Sequence, residues 1–135
     1  AGLSFAHSLS DTDIKVTIIE RQPKAILADP KWDGREIALT HLSVKLMKAN
    51  GSWDRLPDDG VSNIEKAEVL DGTSPYSLSF DHEEAKKETL GYLVPNHLIR
   101  KAIYEEVITL PNVKIIDDVS VEKVITGEKS GTVTL

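Results

Sequence analysis

Gly2 and Glu20 stand eighteen positions apart, and Glu20 closes the apolar run Ile14-Lys15-Val16-Thr17-Ile18-Ile19. A glycine that lets a helix start tight against a sheet, followed at this distance by an acid at a strand end, has the spacing of a dinucleotide-binding β-α-β unit. In such a unit the helix N-terminus faces a pyrophosphate, and the acid accepts hydrogen bonds from ribose hydroxyls. Gly2 takes the place of the third glycine of G-x-G-x-x-G, so the first strand and the two phosphate-facing glycines are expected outside the 135 residues. The pair implies a nucleotide site that is incomplete in this chain. Glycines at helix starts and acids at strand ends also occur without any ligand, which leaves a purely structural reading open.

The elements that must position these residues follow from periodicity. Leu3, Ala6 and Leu9 share one side of a short helix, a polar loop covers 10–13, and a strand covers 14–20. Residues 22–34 hold Pro23, Pro30 and Gly34 with little period and read as a long loop. Across 37–56 the positions Leu39, Leu42, Leu46, Met47 and Ala49 recur at helical spacing, Asn50-Gly51 supplies a stop, and Trp53 and Leu56 are expected to pack back on that helix. After a turn at 57–60, strands are predicted over 64–70 and 76–80, flanking a hairpin loop at 71–75. The charge run 82–88 reads as a solvated loop or turn. Residues 90–95 form a short apolar segment leading to a second helix with Leu98, Ala102, Ile103, Val107 and Leu110 as its stripe. Strands are expected over 113–116, 119–126 and 132–135, the last two about a turn at 127–131.

Composition bounds the function classes. One ordinary domain with a real core fits the length, and 40% hydrophobic with 28% charged residues is a soluble globular balance. No apolar run approaches the roughly 18 residues of a membrane helix, and no signal-peptide pattern opens the chain. Zero cysteines exclude disulfides and thiolate metal sites. A formal net charge of -6 with scattered basic residues argues against nucleic-acid binding. His7, His41, His82 and His97 lack metal-ligand spacing, and the acidic pairs lie in turns. Asn50-Gly51-Ser52 matches a glycosylation sequon by chance.

Four further segments carry a family likeness. Asp33-Gly34-Arg35-Glu36-Ile37-Ala38-Leu39 resembles the D-x-R-x-x-A-L stretch of flavin-dependent aromatic hydroxylases, particularly the ubiquinone-biosynthesis hydroxylases. Gly51-Ser52-Trp53-Asp54 is similar to that family's G-x-W-D, Leu90-Gly91-Tyr92-Leu93-Val94-Pro95-Asn96 to its L-G-Y-x-V-x-N, and Leu110-Pro111-Asn112-Val113 to its L-P-N-V. Their order and spacing match over almost the whole chain.

The resemblance implies an α/β fold: a partial FAD-binding, Rossmann-like arrangement of the GR2 type lacking its first strand, with a β-hairpin from the substrate-side sheet. It divides the chain into a partial FAD-binding region at 1–60, a substrate-side segment at 61–90 and a return to the FAD-binding region at 91–135. The activity implied is the N-terminal portion of an FAD-dependent monooxygenase that hydroxylates a phenol or quinol ring in ubiquinone biosynthesis, using NAD(P)H and molecular oxygen. The cofactor carries such chemistry, so no catalytic side chain and no metal are expected of the protein. Cofactor contacts carried over are Gly2, Glu20 with its neighbour Arg21, Arg35 along the flavin and its phosphates, and Asn96 near the flavin-linking chain. His97 stands where an arginine is frequent, and the family's Gly-Asp and Asp-Gly motifs are expected beyond Leu135.

The resemblance also places the parent in the cytoplasm or at the inner face of a membrane, in peripheral contact with that membrane or with a ubiquinone-biosynthesis complex. With the absent strand placed between 14–20 and 113–116, both neighbours would lose ladder partners, so the chain alone is expected to bind FAD poorly, to be inactive, and either to self-associate through the gap or to rearrange its sheet. The residues themselves leave other readings open. Arg35 can pair with Glu36 or Asp33 at the surface, and Asn96 can cap the following helix. A nicotinamide-binding domain of a dehydrogenase shares Gly2 and Glu20, and a non-enzymatic α/β module shares the short motifs.

Overall fold

The computed structural model describes residues 2–72 and 74–135. Ala1, which heads the opening triplet, and Thr73, in the predicted hairpin loop, lie outside the described residues. In chain order the first elements are α1 (Gly2–His7), β1 (Val16–Ile19), α2 (Lys24–Ala28), β2 (Glu36–Leu39), α3 (His41–Ala49), β3 (Ser62–Ile64) and β4 (Lys66–Leu70). They are followed by β5 (Ser77–Asp81), β6 (Gly91–Pro95), α4 (Asn96–Val107), β7 (Val113–Ile116), β8 (Lys123–Thr126) and β9 (Gly131–Thr134). Packing groups them into two compact units, one joining the stretch up to Lys31 with Arg100–Leu135, the other Trp32–Ile99. β2 and α3, which the sequence reading places with the nucleotide strand, thus pack in the unit that holds β3 to β6.

In the first unit β1 and β7 are parallel neighbours, Val16 opposite Val113 through Ile19 opposite Ile116. Their ladder is extended by Val16 N–H to Asn112 O and Glu20 N–H to Ile116 O, both 2.9 Å. The strand expected between them is therefore not between them. The facing backbone groups of Val-Thr-Ile-Ile and Val-Lys-Ile-Ile satisfy one another across this two-stranded ladder. α1 buries Ala6, and Asn112 ties its trailing loop to β7 by donating to Leu9 O at 2.9 Å and Ile14 O at 3.0 Å. The loop expected over 22–34 contains α2, a five-residue helix that Pro23 leads into with φ −65° and that buries Leu27. The residues of α4 in this unit bury Ala102, Ile103, Tyr104 and Val107. β8 and β9 form an antiparallel hairpin about residues 127–130, as predicted.

In the second unit β6 lies at the centre of an antiparallel sheet in the order β2-β6-β3. Gly91 is required there: a Cβ would sit 2.6 Å from Leu39 O on the adjacent strand. Thr89, 2% exposed, places its hydroxyl 2.6 Å from Gly91 O and 3.0 Å from Ile64 O, tying the strand's entry to β3. Val94 on β6 is fully buried. The helix expected across 37–56 begins only at His41, because residues 36–39 pair with β6 as a strand. α3 is N-capped by Thr40, whose hydroxyl accepts from Ser43 N–H at 3.2 Å, and is followed by Gly51 at φ +76°. Its buried residue is Val44, whereas Leu42 and Leu46 of the predicted stripe are 65% and 60% exposed. Trp53 meets Tyr92 of β6 edge-on at 5.4 Å, with Lys48 Nζ over its ring. The predicted hairpin is β4 with β5, setting Ala67 opposite Phe80 and Val69 opposite Leu78.

Candidate functional site

At the end of β1 the strand carries Glu20 to its C-terminal edge, where nucleotide-facing acids sit in open α/β sheets. Glu20 Oε1 accepts from the backbone N–H of Gln22 at 2.8 Å. This local bond fixes the carboxylate's direction and leaves its second oxygen available to hydroxyl donors. Gln22 is itself held, accepting at Oε1 from Arg100 Nη2 at 2.8 Å, while Lys24 N–H donates to Asp117 at 2.6 Å. Arg21 is exposed. Gly2 opens α1, but among the described residues nothing lies within 4 Å of where its Cβ would be.

The second group centres on Asp33, in the turn before β2. Gly34, at φ +74°, reverses the chain so that Asp33 Oδ1 accepts from Arg35 N–H at 3.2 Å. Asp33 Oδ2 accepts from Arg35 Nη2 at 2.5 Å, from Asn96 Nδ2 at 2.8 Å and from Arg35 Nε at 3.0 Å. The antiparallel pairing of Glu36 with Pro95 brings the two chains alongside, and Asn96 N–H donates to Arg35 O at 2.9 Å. Hydrogen bonds from Arg35 and then Asn96 hold the Asp33 carboxyl far below the usual carboxylate range, and the same bond raises the Arg35 guanidinium. Asp33's side chain is 26% exposed and Arg35's 65%.

Of the five predicted contacts, the structure therefore brings Arg35 and Asn96 together through Asp33. Of the alternatives for Arg35, pairing with Asp33 is the one observed. Asn96 is the first residue of α4 and sends its amide to Asp33. In the sequence Asp33 is legible as a motif letter and as one of two surface partners open to Arg35, but not as the acceptor for Asn96. Gln22 and Arg100 escape it altogether, since they are 78 residues apart. Next to Asn96, His97 Nδ1 is buried with no hydrogen-bond partner among the described residues.

Taken separately, the first unit offers an oriented carboxylate that can accept from hydroxyl donors, and the second a guanidinium and an amide held together on one carboxylate. A separate open hollow in the second unit is lined by Trp53, Asp54, Leu56, Pro57, Asp58 and Val61, none of them a predicted contact. Among the described residues no cluster of His, Asp or Glu could hold a metal ion, and no helix is long and apolar enough to cross a membrane.

No family model matches the chain. It is 46% identical over its whole length to ubiquinone hydroxylase UbiM of Neisseria meningitidis, of which it covers 30%. It is 29% identical to 3-demethoxyubiquinol 3-hydroxylase of Escherichia coli, over 84% of the chain and 29% of that protein. The chain thus spans about a third or less of the length of these curated relatives. Among solved structures, p-nitrophenol 4-monooxygenase PnpA from Pseudomonas putida has the same fold with a TM-score of 0.70, at 17% identity, over 97% of this chain and 32% of that one.

Proposed function

Because the chain belongs along its whole length to the ubiquinone hydroxylase family, we propose that it is part of the FAD-binding portion of a monooxygenase that hydroxylates a phenol or quinol ring in ubiquinone biosynthesis. The identity of 46% over the whole length of the chain is the observation that carries this reading. Bound FAD would supply the redox chemistry, taking electrons from NAD(P)H and activating molecular oxygen for insertion into the ring. This chain's own residues bind and orient. Glu20, turned by Gln22 N–H, accepts from ribose hydroxyls, and Arg21 beside it adds positive charge. Arg35 and Asn96 offer a fixed guanidinium and amide to the flavin's polar groups. Arg35 remains cationic at any working pH, so its contacts do not titrate with the reaction. The same reading places the parent in the cytoplasm or at the inner face of a membrane, in contact with that membrane or with other ubiquinone-biosynthesis proteins.

The test uses the full-length parent. Purified and reconstituted with FAD, it is expected to show a flavin absorbance band and to convert a demethoxyquinol to the hydroxylated ring at the expense of NAD(P)H. A colourless protein sinks the flavin assignment, and NAD(P)H oxidation with an unmodified quinol sinks the hydroxylase assignment. Replacing Glu20 with Ala is expected to weaken FAD binding by about tenfold or more, as removal of charge-assisted ribose contacts does.

A further inference from the structure

A guanidinium has five N–H donors in a fixed fork, and Asp33 occupies the edge made by Nε and one hydrogen of Nη2. The remaining three donors lie on the Nη1–Nη2 end and the far side of Nη1, so the carboxylate decides which donors Arg35 presents. Asp33 does the same for Asn96. By accepting from Nδ2 it fixes which way the amide is turned, so that Oδ1 is the atom not facing Asp33. A further bond, Asp33 Oδ1 to Arg35 N–H, anchors the carboxylate to the backbone that carries the arginine. Arg35 and Asn96 are 61 positions apart in the chain, and one side chain sets the orientation of both.

We infer that Asp33 is a positioning residue for the cofactor contacts of Arg35 and Asn96, holding a donor edge and an acceptor atom in the pose that meets the polar groups of FAD. This rests on the FAD reading above. Charge alone predicts the opposite sign. The Asp33–Arg35 pair is formally neutral, so a carboxylate that merely neutralised the arginine would hinder an anionic dinucleotide, and its removal would tighten binding. A positioning carboxylate predicts weaker binding on removal. Asparagine is a sharp probe, because whichever way its amide turns it points N–H groups at donors now held by Oδ1 or Oδ2.

The experiment measures FAD affinity of the full-length protein by flavin fluorescence for wild type, D33N, R35A and the double variant, with apoprotein melting recorded alongside. D33N is expected to weaken FAD about tenfold, the scale of a lost orienting contact. The double variant is expected to lose less than the product of the two single effects, since Asp33 acts partly through Arg35. If D33N folds poorly, D33E keeps the ion pair but displaces the carboxylate, and it is expected to weaken FAD several-fold with unchanged apoprotein melting. Unchanged or tighter FAD binding in D33N or D33E, or multiplicative losses in the double variant, overturns the assignment of Asp33 while leaving the FAD reading intact. A wild-type protein that takes up no FAD removes the FAD reading and the inference together.

Discussion

The end of β1 and the turn before β2 each hold a carboxylate, by different means. Glu20 is fixed by a backbone N–H two residues on, a bond that any chain leaving that strand in the same direction can form. Asp33 collects four hydrogen bonds, one of them from a residue 63 positions away, and that bond exists only once β2 and β6 have paired. The first region positions its functional group locally and on a parallel two-stranded ladder. The second does so through tertiary structure, on a three-stranded antiparallel sheet. A group of the second kind is only as well ordered as the sheet beneath it.

Damage to β6 should therefore separate the two regions. Gly91→Ala places a Cβ against Leu39 O, a backbone atom that cannot swing aside. It is expected to cost about 3 kcal/mol in urea unfolding and to strip hydrogen-exchange protection from β2, β3 and β6. Equal loss of protection in β1 and β7 would break the comparison, since the regions would then unfold as one. Val94→Ala, at a fully buried position of the same strand, is expected to cost about 2 kcal/mol by lost burial and a residual cavity. The same measurement locates the loss in β2, β3 and β6.

Smaller effects sharpen the contrast. Thr40→Ala removes the cap of α3 and is expected to cost about 1 kcal/mol, read as a shifted denaturation midpoint with an unchanged slope. Acid is expected to do least. Because Asp33's carboxyl is depressed in the folded chain, its contribution is fully present above the ordinary aspartate value of about 3.9 and lost only as pH falls through the lower, folded value. A carbon-detected NMR titration of its side chain should therefore be flat from neutrality to about pH 4. A midpoint at the ordinary value would show that the Asp33 bonds to Arg35 and Asn96 do not persist in solution.

What the sequence reveals follows the same division. β1, β7 and α4 are legible because each carries enough periodic apolar residues to declare itself, as are the two hairpins with their turn residues. β2 is misread because only Ile37 and Leu39 turn inward, and both also fit the helical spacing of Leu42 and Leu46 that follows. Those two leucines are exposed, so the stripe is real as a pattern and unused as a core. α2 hides between prolines as a single buried leucine. Glu20 is singled out by spacing alone, and Arg35 and Asn96 by motif likeness. The bond between Asp33 and Asn96 cannot be read that way, because strand pairing, and not local pattern, puts Asn96 beside it.

β6 passes into α4 with no residue between Pro95 and Asn96. One residue inserted there would turn the start of the helix by about 100° relative to the strand, lifting Asn96 from Asp33. Deletion would do the same in the opposite sense. Length variation among homologous chains is therefore expected to collect in the exposed turn at 127–130, and this junction to keep its residue count even where its residue types drift.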